Sequence, residues 1–234
     1  MPATIADNLA RLYERIASAA QRAGRPADEI TLVAVSKTHS AETIRHAFQL
    51  GLRHFGENRV QEWEGKRTAL ADVSATWHLI GHLQSNKAAR AAKAFTTIDS
   101  LDDWALAQRV QRAAAENSSA DLMRVLIEVR LGSEETKSGV VEGDLPALAE
   151  RVLQLSKLHL AGLMCIPPFL EDPEEVRPYF TRLRQLRDAL ETRLGRRLPV
   201  LSMGMSHDFE AAIQEGATEI RIGTALFGAR PSPQ

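Results

Sequence analysis

A lysine that follows directly on a buried strand can do covalent chemistry with a carbonyl group, and Lys37 stands in that position. The run before it, Thr31-Leu-Val-Ala-Val-Ser36, is short, apolar and rich in β-branched residues, the pattern of a buried strand. Partial burial disfavours an ammonium and leaves more free amine, which is what a Schiff base requires. Position alone is equally compatible with a solvated loop lysine.

Two further stretches could hold an anion. Ser202-Met-Gly-Met-Ser206 and Arg221-Ile-Gly-Thr224 each follow a predicted strand and each combine a glycine with a hydroxyl. Gly204 and Gly223 would let the backbone approach a phosphate, and Ser206 and Thr224 would turn hydroxyls and helix-start amides towards its oxygens. Taken singly, the glycines are ordinary turn residues and Ser206 an ordinary helix cap. Two such loops on consecutive strands carry more weight than either alone. Arg221 lies two residues before Gly223 and so shares a strand face with it, either facing the same ligand or pairing with a carboxylate. His78 and His82 have the H-x-x-x-H spacing of a helical zinc pair, but on a strand they would be roughly 13 Å apart, and no metal site is expected. Cys165 reads as a small core residue, and the arginines between Arg182 and Arg197 as a solvated helix face.

The elements that must position these residues alternate along the chain. An amphipathic helix comes first, with Ile5, Leu9, Leu12, Ile16 and Ala19 at helical spacing and Gly24 and Pro26 as its stop. Strands are then expected at 31–36, 52–56, 76–80, 95–99, 123–129, 158–164, 199–203 and 219–222. Helices are expected at 41–50, near 58–70, near 86–93, at 101–116 with Ser100 as cap, near 144–156, from Asp172-Pro173 to Gly195, near 207–215, and in a short terminal segment. Strands alternating with helices imply a parallel sheet, and eight of them predict closure into a (β/α)8 TIM barrel with an extra N-terminal helix. An open doubly wound sheet is the rival. No linker or low-complexity tract breaks the chain, so 1–234 reads as a single domain. In such barrels the active site lies at the C-terminal ends of the strands. Lys37 on the first strand and the two loops after the seventh and eighth would then be neighbours at the closing seam.

Composition excludes several classes. The 234 residues are 44% hydrophobic, enough for a substantial core, with a net charge of −1 and basic and acidic residues interspersed. No basic stripe marks a nucleic-acid partner. No apolar run has membrane-spanning length, and no phosphate-loop or dinucleotide fingerprint marks a nucleotide cofactor. A single cysteine precludes an internal disulfide and fits a reducing compartment. With no apolar signal core at the N-terminus, a cytoplasmic location is expected.

At these motifs the sequence resembles the pyridoxal phosphate homeostasis family over essentially its whole length. The carriers are Leu32-Val-Ala-Val-Ser-Lys37, Phe55-Gly-Glu-Asn-Arg59, Trp77-His-Leu-Ile-Gly-His-Leu-Gln84, Lys137-Ser-Gly139, Gly162-Leu-Met164, Ser202-Met-Gly-Met-Ser206 and Arg221-Ile-Gly-Thr-Ala-Leu-Phe-Gly228. The resemblance implies a fold like the barrel domain of alanine racemase. It implies pyridoxal 5'-phosphate (PLP) as cofactor, with Lys37 forming the internal aldimine. Ser206, Gly223 and Thr224 would hold the phosphate, with help from the Met205 backbone. Arg221 would face the pyridine nitrogen, and Asn58 and His78 would line the ring. Lys137 is expected to be a loop lysine rather than a second cofactor contact.

The implied function is PLP homeostasis, by storage, delivery or buffering of a reactive aldehyde, with effects on amino-acid and keto-acid metabolism. Candidate recipients are apo forms of PLP-dependent enzymes. An amino-acid racemase is the alternative. Such enzymes add a β-rich domain that supplies a tyrosine as second base, and the sequence to Gln234 shows no such domain. Its two tyrosines, Tyr13 and Tyr179, fall in helices predicted to lie outside the barrel mouth. A Schiff-base aldolase acting on phosphosugars fits the bare barrel but not the family motifs. Without a partner-contacting domain, a monomer is expected.

Overall fold

A computed structural model describes residues 4–117, 121–132 and 138–228. The leading helix α1 (Ile5–Arg22) starts at a capping box. The Thr4 hydroxyl accepts from the Asp7 amide while the Asp7 carboxylate accepts from the Thr4 amide. Leu9, Leu12, Ile16 and Ala19 form its buried stripe, which packs on the last two helices, α8 (Phe209–Gln214) and α9 (Thr224–Phe227).

The strands are β1 (Thr31–Val35), β2 (His54–Glu57), β3 (Thr76–Leu79), β4 (Thr97–Leu101), β5 (Met123–Arg130), β6 (Val140–Val141), β7 (Leu158–Met164), β8 (Val200–Ser202) and β9 (Glu219–Ile222). Their order is β4-β3-β2-β1-β9-β8-β7-β5-β6, with β4 also paired to β5. Every pairing is parallel, and the β4–β5 ladder closes eight of the strands into a barrel. The two-residue β6 lies outside the ring on β5. It was not expected from sequence, being too short to show a period. The open-sheet alternative is excluded by the β1–β9 and β4–β5 ladders.

Between the strands run α2 (Ala41–Gln49), α3 (Val60–Arg67), α4 (Ala88–Ala94), α5 (Trp104–Glu116), α6 (Leu145–Val152) and α7 (Pro173–Leu194). Single 3-10 turns at Thr68–Leu70 and Ser85–Lys87 extend α3 and precede α4, which shortens two of the expected helices. The expected cap at Ser100 is corrected. Strand β4 runs on to Leu101, and the Asp103 carboxylate caps α5 by accepting from the Leu106 amide at 2.7 Å. Ser100 instead donates its hydroxyl to the Gly81 carbonyl at 2.7 Å.

Alternate strand residues divide between two environments. Phe55 of β2 and Trp77 of β3 face the helices, where Trp77 stacks on Trp63 of α3 with ring centroids 3.8 Å apart. The Trp63 indole N–H donates to the Ala94 carbonyl at 2.6 Å, locking α3 and α4 onto β2 and β3. This outer layer is part of a continuous apolar core. The inside of the barrel holds a separate small apolar cluster, Leu126, Ala161 and Met164, with Val200 against it.

Beside that cluster the interior is polar, which the apolar strand pattern did not announce. His78 is fully buried, with one ring nitrogen 3.0 Å from His54 and the other 2.8 Å from Asp99. Arg124 reaches Glu219 at 3.0 Å. Ligand-type atoms of His78, Asp99 and Glu219 lie within 4.8 Å of one another. There His78 pairs with Asp99, and Arg124 with Glu219.

Candidate functional site

The site is built at the seam where β9 meets β1. The register places Val33 beside Arg221 and Ala34 beside Ile222. A Cβ on Gly223 would come 3.5 Å from the Val35 Cβ, so Lys37 leaves β1 next to Gly223 and Thr224. Lys37 is half-buried. The loop after it also reaches the last helix, since the His39 ring lies 4.5 Å from the Phe227 ring.

The two loops expected to cradle an anion sit side by side. Gly204 has φ +94°, and a Cβ there would come 2.6 Å from the Ala212 Cβ and 2.9 Å from the Phe209 Cα. Only glycine lets this loop take its left-handed turn while α8 packs so closely. Ser206 does not cap α8, which begins at Phe209. Its hydroxyl accepts from the Ala225 amide of α9 at 3.2 Å, tying the β8 loop to the β9 loop. The Met205 amide donates to the buried Asp208 carboxylate at 2.6 Å. This bond fixes the direction of the loop backbone between Gly204 and Ser206. Burial pushes the Asp208 carboxyl above the usual carboxylate range, and the Met205 amide opposes the shift.

Arg221 is buried and points into the barrel below these loops. Its guanidinium donates to the Ser202 hydroxyl and to the Cys165 carbonyl, each at 2.7 Å. Both acceptors are neutral, and among the described residues Arg221 forms no ion pair. The buried carboxyls of Glu128 and Asp208 feel the Arg221 charge without pairing with it directly. A buried guanidinium that bonds two neutral oxygens carries further donors suited to an acceptor in the mouth. The Cys165 thiol is pushed up to about 12 by its complete burial, against the pull of Arg221, as fits a core residue.

The structure places the other predicted residues less directly. Asn58 follows β2 and is half-buried, lining a cavity of about 340 Å³ with Gly81 and His82. Its carbonyl lies 2.4 Å from where a Cβ on Gly81 would sit, so Gly81 is demanded by the approach of the two loops. His78 has both ring nitrogens engaged inside the barrel, leaving its ring face and edge for any cofactor contact. His82 lies exposed on the rim, near Asp102 rather than beside His78. Lys137 lies outside the described residues.

A larger concavity of about 610 Å³ opens at the opposite, N-terminal end of the barrel and is lined by Arg25, Arg124, Arg187 and Arg197. Each of these arginines already faces a carboxylate, from Glu29, Glu219, Asp188 and Glu191 respectively. Among the described residues no lysine lines it, and in barrels of this kind that end serves stability rather than chemistry.

The donor set at the seam fits PLP on chemical grounds. It offers a primary amine, two hydroxyls beside loop amides, and a buried guanidinium that forms no ion pair among the described residues. The Alanine racemase, N-terminal domain family matches residues 8–231. A pyridoxal phosphate homeostasis protein of Aquifex aeolicus is 50% identical over 224 residues, covering 96% of this chain and 97% of the relative. The chain belongs to the pyridoxal phosphate homeostasis protein family. The Synechococcus elongatus family member PipY, solved with PLP bound, is 42% identical with a TM-score of 0.81 over 92% of this chain and 99% of PipY. The alanine racemase of Clostridium difficile matches at 16% identity with a TM-score of 0.73, covering 97% of this chain and 58% of the racemase, a likeness of fold alone.

Sequence reasoning missed the cluster of Glu57, Glu62 and Lys66, which bonds the Ser36 carbonyl and the Thr38 amide on either side of Lys37. Glu57 was quoted within a motif but given no role, and Lys66 and Glu62 were not noticed. Their i,i+4 spacing on a predicted helix was a visible signal, but it reads first as a solvated surface pair.

Proposed function

We propose that this chain binds PLP covalently through Lys37 and serves as a monomeric carrier of the cofactor in the cytoplasm, with residues 1–234 acting as one binding unit. The observation that carries the proposal is the meeting of Lys37 with the Ser206 and Thr224 loops across the β1–β9 seam. In support, curated relatives bear the name pyridoxal phosphate homeostasis protein, and PipY was solved with PLP bound.

Bound PLP supplies an aldehyde that condenses with a primary amine. Lys37 provides that amine at the mouth. Ser206, with Gly223 and Thr224 at the start of α9, holds the phosphate, and the half-buried Asn58 and the ring of His78 flank the pyridine. Arg221 presents an N–H that it cannot surrender, so a pyridine nitrogen facing it would stay largely unprotonated. An unprotonated nitrogen weakens the ring as an electron sink, which would disfavour extensive carbanion chemistry.

A two-base racemase also lacks support on its second side. Tyr13 is exposed on α1. Tyr179 packs beside Gly132 at the end of β5, which stands opposite β1 in the barrel order. Recipients of the cofactor would be apo forms of PLP-dependent enzymes.

The test is a PLP titration followed by visible absorption in the wild type and in Lys37→Ala, beside assays of amino-acid racemisation and of PLP transfer to an apo-enzyme. The proposal expects a visible band that Lys37→Ala abolishes, with transfer and no turnover. A colourless wild type, or robust racemisation, overturns it.

A further inference from the structure

We infer that Glu57, Glu62 and Lys66 form a clamp that fixes the chain on both sides of Lys37, making them positioning residues for capture of the cofactor aldehyde. The inference rests on the reading of Lys37 as the bonding amine. The Lys66 ammonium meets three acceptors: the Ser36 carbonyl at 3.0 Å, Glu57 Oε1 at 3.0 Å and Glu62 Oε1 at 2.8 Å. Three donors on three oxygens satisfy an ammonium completely. The Ser36 hydroxyl donates to the same Glu57 oxygen at 2.7 Å. On the other side of Lys37, the Thr38 amide donates to Glu62 Oε1 at 2.5 Å. Residues 36 and 38 are thus both tied, through Lys66, to α3.

Thr38 shows why ties are needed. Its φ of +68° is the only left-handed value at a non-glycine among the described residues. A β-branched residue takes that conformation only where its surroundings impose it. The turn ends β1 at the base of Lys37 and sets the direction in which its Cα–Cβ bond leaves the strand. The clamp is also shielded. Glu57 is fully buried, and Lys66 and Glu62 expose 13% and 27% of their side chains. Despite partial burial, Lys66 and the Thr38 amide hold the Glu62 carboxyl below the usual carboxylate range. Burial pushes Glu57 up, against the pull of Lys66, and its Oε2 has no hydrogen-bond partner. Without Lys66, Glu57 would be left as a buried carboxylate bonded only to Ser36. Lys66 is therefore the member whose loss releases the whole turn.

The experiment compares Lys66→Met, Lys66→Arg and Glu62→Gln with the wild type. Without PLP, hydrogen exchange of segment 36–40 should be at least about tenfold faster in Lys66→Met and Glu62→Gln. With PLP, those two variants should form the visible band at least about tenfold more slowly, because a displacement near 1 Å at a reacting group has effects of that order. The pH midpoint of their band should move as well. Lys66→Arg, which can still bridge both carboxylates, should restore rate and midpoint to within about threefold of wild type. Glu62→Gln covers the case in which Lys66→Met does not fold, since it alters only a partly exposed group and removes the charge that strengthens both bonds to Oε1. Unchanged exchange at 36–40 together with unchanged capture in folded variants overturns the clamp. A wild type with no band would sink the reading of Lys37, while the exchange rates would still decide whether the clamp exists.

Discussion

Gly204→Ala is the substitution whose cost follows most directly from geometry. The residue sits at φ +94°, where a side chain costs about 1–2 kcal/mol. Its new Cβ would stand 2.6 Å from the Ala212 Cβ, against about 3.5–4.0 Å for an ordinary carbon contact. Either α8 or the loop must therefore retreat by about 1 Å, and forced packing of this kind costs about 1–3 kcal/mol. Together the two effects predict a loss of about 2–5 kcal/mol, a large part of the 5–15 kcal/mol typical of a domain. The same retreat would pull Ser206 from its 3.2 Å bond with the Ala225 amide, so PLP affinity should fall by about tenfold or more.

Gly223→Ala is the control. Its Cβ would meet Val35 at an ordinary 3.5 Å, at a negative φ of −110°, and should cost less than Gly204→Ala. Urea denaturation without cofactor and PLP titration of both variants provide the assay. Equal stabilities for the two variants, or a Gly204→Ala protein as stable as wild type, would refute the reasoning.

Other outcomes follow from single groups. Ser206→Ala should weaken PLP binding by about 10- to 150-fold, the equivalent of one hydrogen bond to a charged group, while leaving the visible band unchanged at saturation; equal affinities would remove Ser206 from the phosphate site. Despite the cost of burial, Asp99 raises the His78 imidazole above its ordinary value, and His78 holds Asp99 below the carboxylate range. The stability due to His78 is therefore complete below the ordinary imidazole value near pH 6.5 and fades as pH climbs through the raised one. The contribution of Asp99 fades in the opposite direction, as pH drops below the carboxylate range. Asp99→Asn should accordingly cost about 3 kcal/mol or more near pH 6, and the gap to wild type should narrow on the alkaline side; a gap constant with pH contradicts the pairing. Cys165, buried and with its thiol pushed up to about 12, should resist thiol reagents in the native protein and react at once in denaturant.

Much of this architecture is legible in sequence because it depends on local period. The strands at 158–164 and 219–222 have the extents expected, and β1 ends at Val35, one residue short of its expected end. The start of α5 was missed because strand β4 continues through the polar pair Asp99 and Ser100, which resembles a cap when read alone. The partner of Ser206 lies 19 residues away on α9, so its link between the two loops is visible only once the barrel closes. The interior histidines were hidden for a similar reason. His54 and His78 lie on different strands and become a pair only through the β2–β3 register. Lys66 looks like a solvated lysine until the fold sets the Ser36 carbonyl and Glu57 above it.

The central claim is that the Lys37 nitrogen, and no other, bonds the cofactor. Borohydride reduction of the protein mixed with one equivalent of PLP, followed by peptide mass mapping, tests it most directly. The account predicts a pyridoxyl-phosphate group fixed to the peptide carrying Lys37. Predominant labelling of Lys66, Lys87 or any other lysine, or no labelling at all, would contradict it.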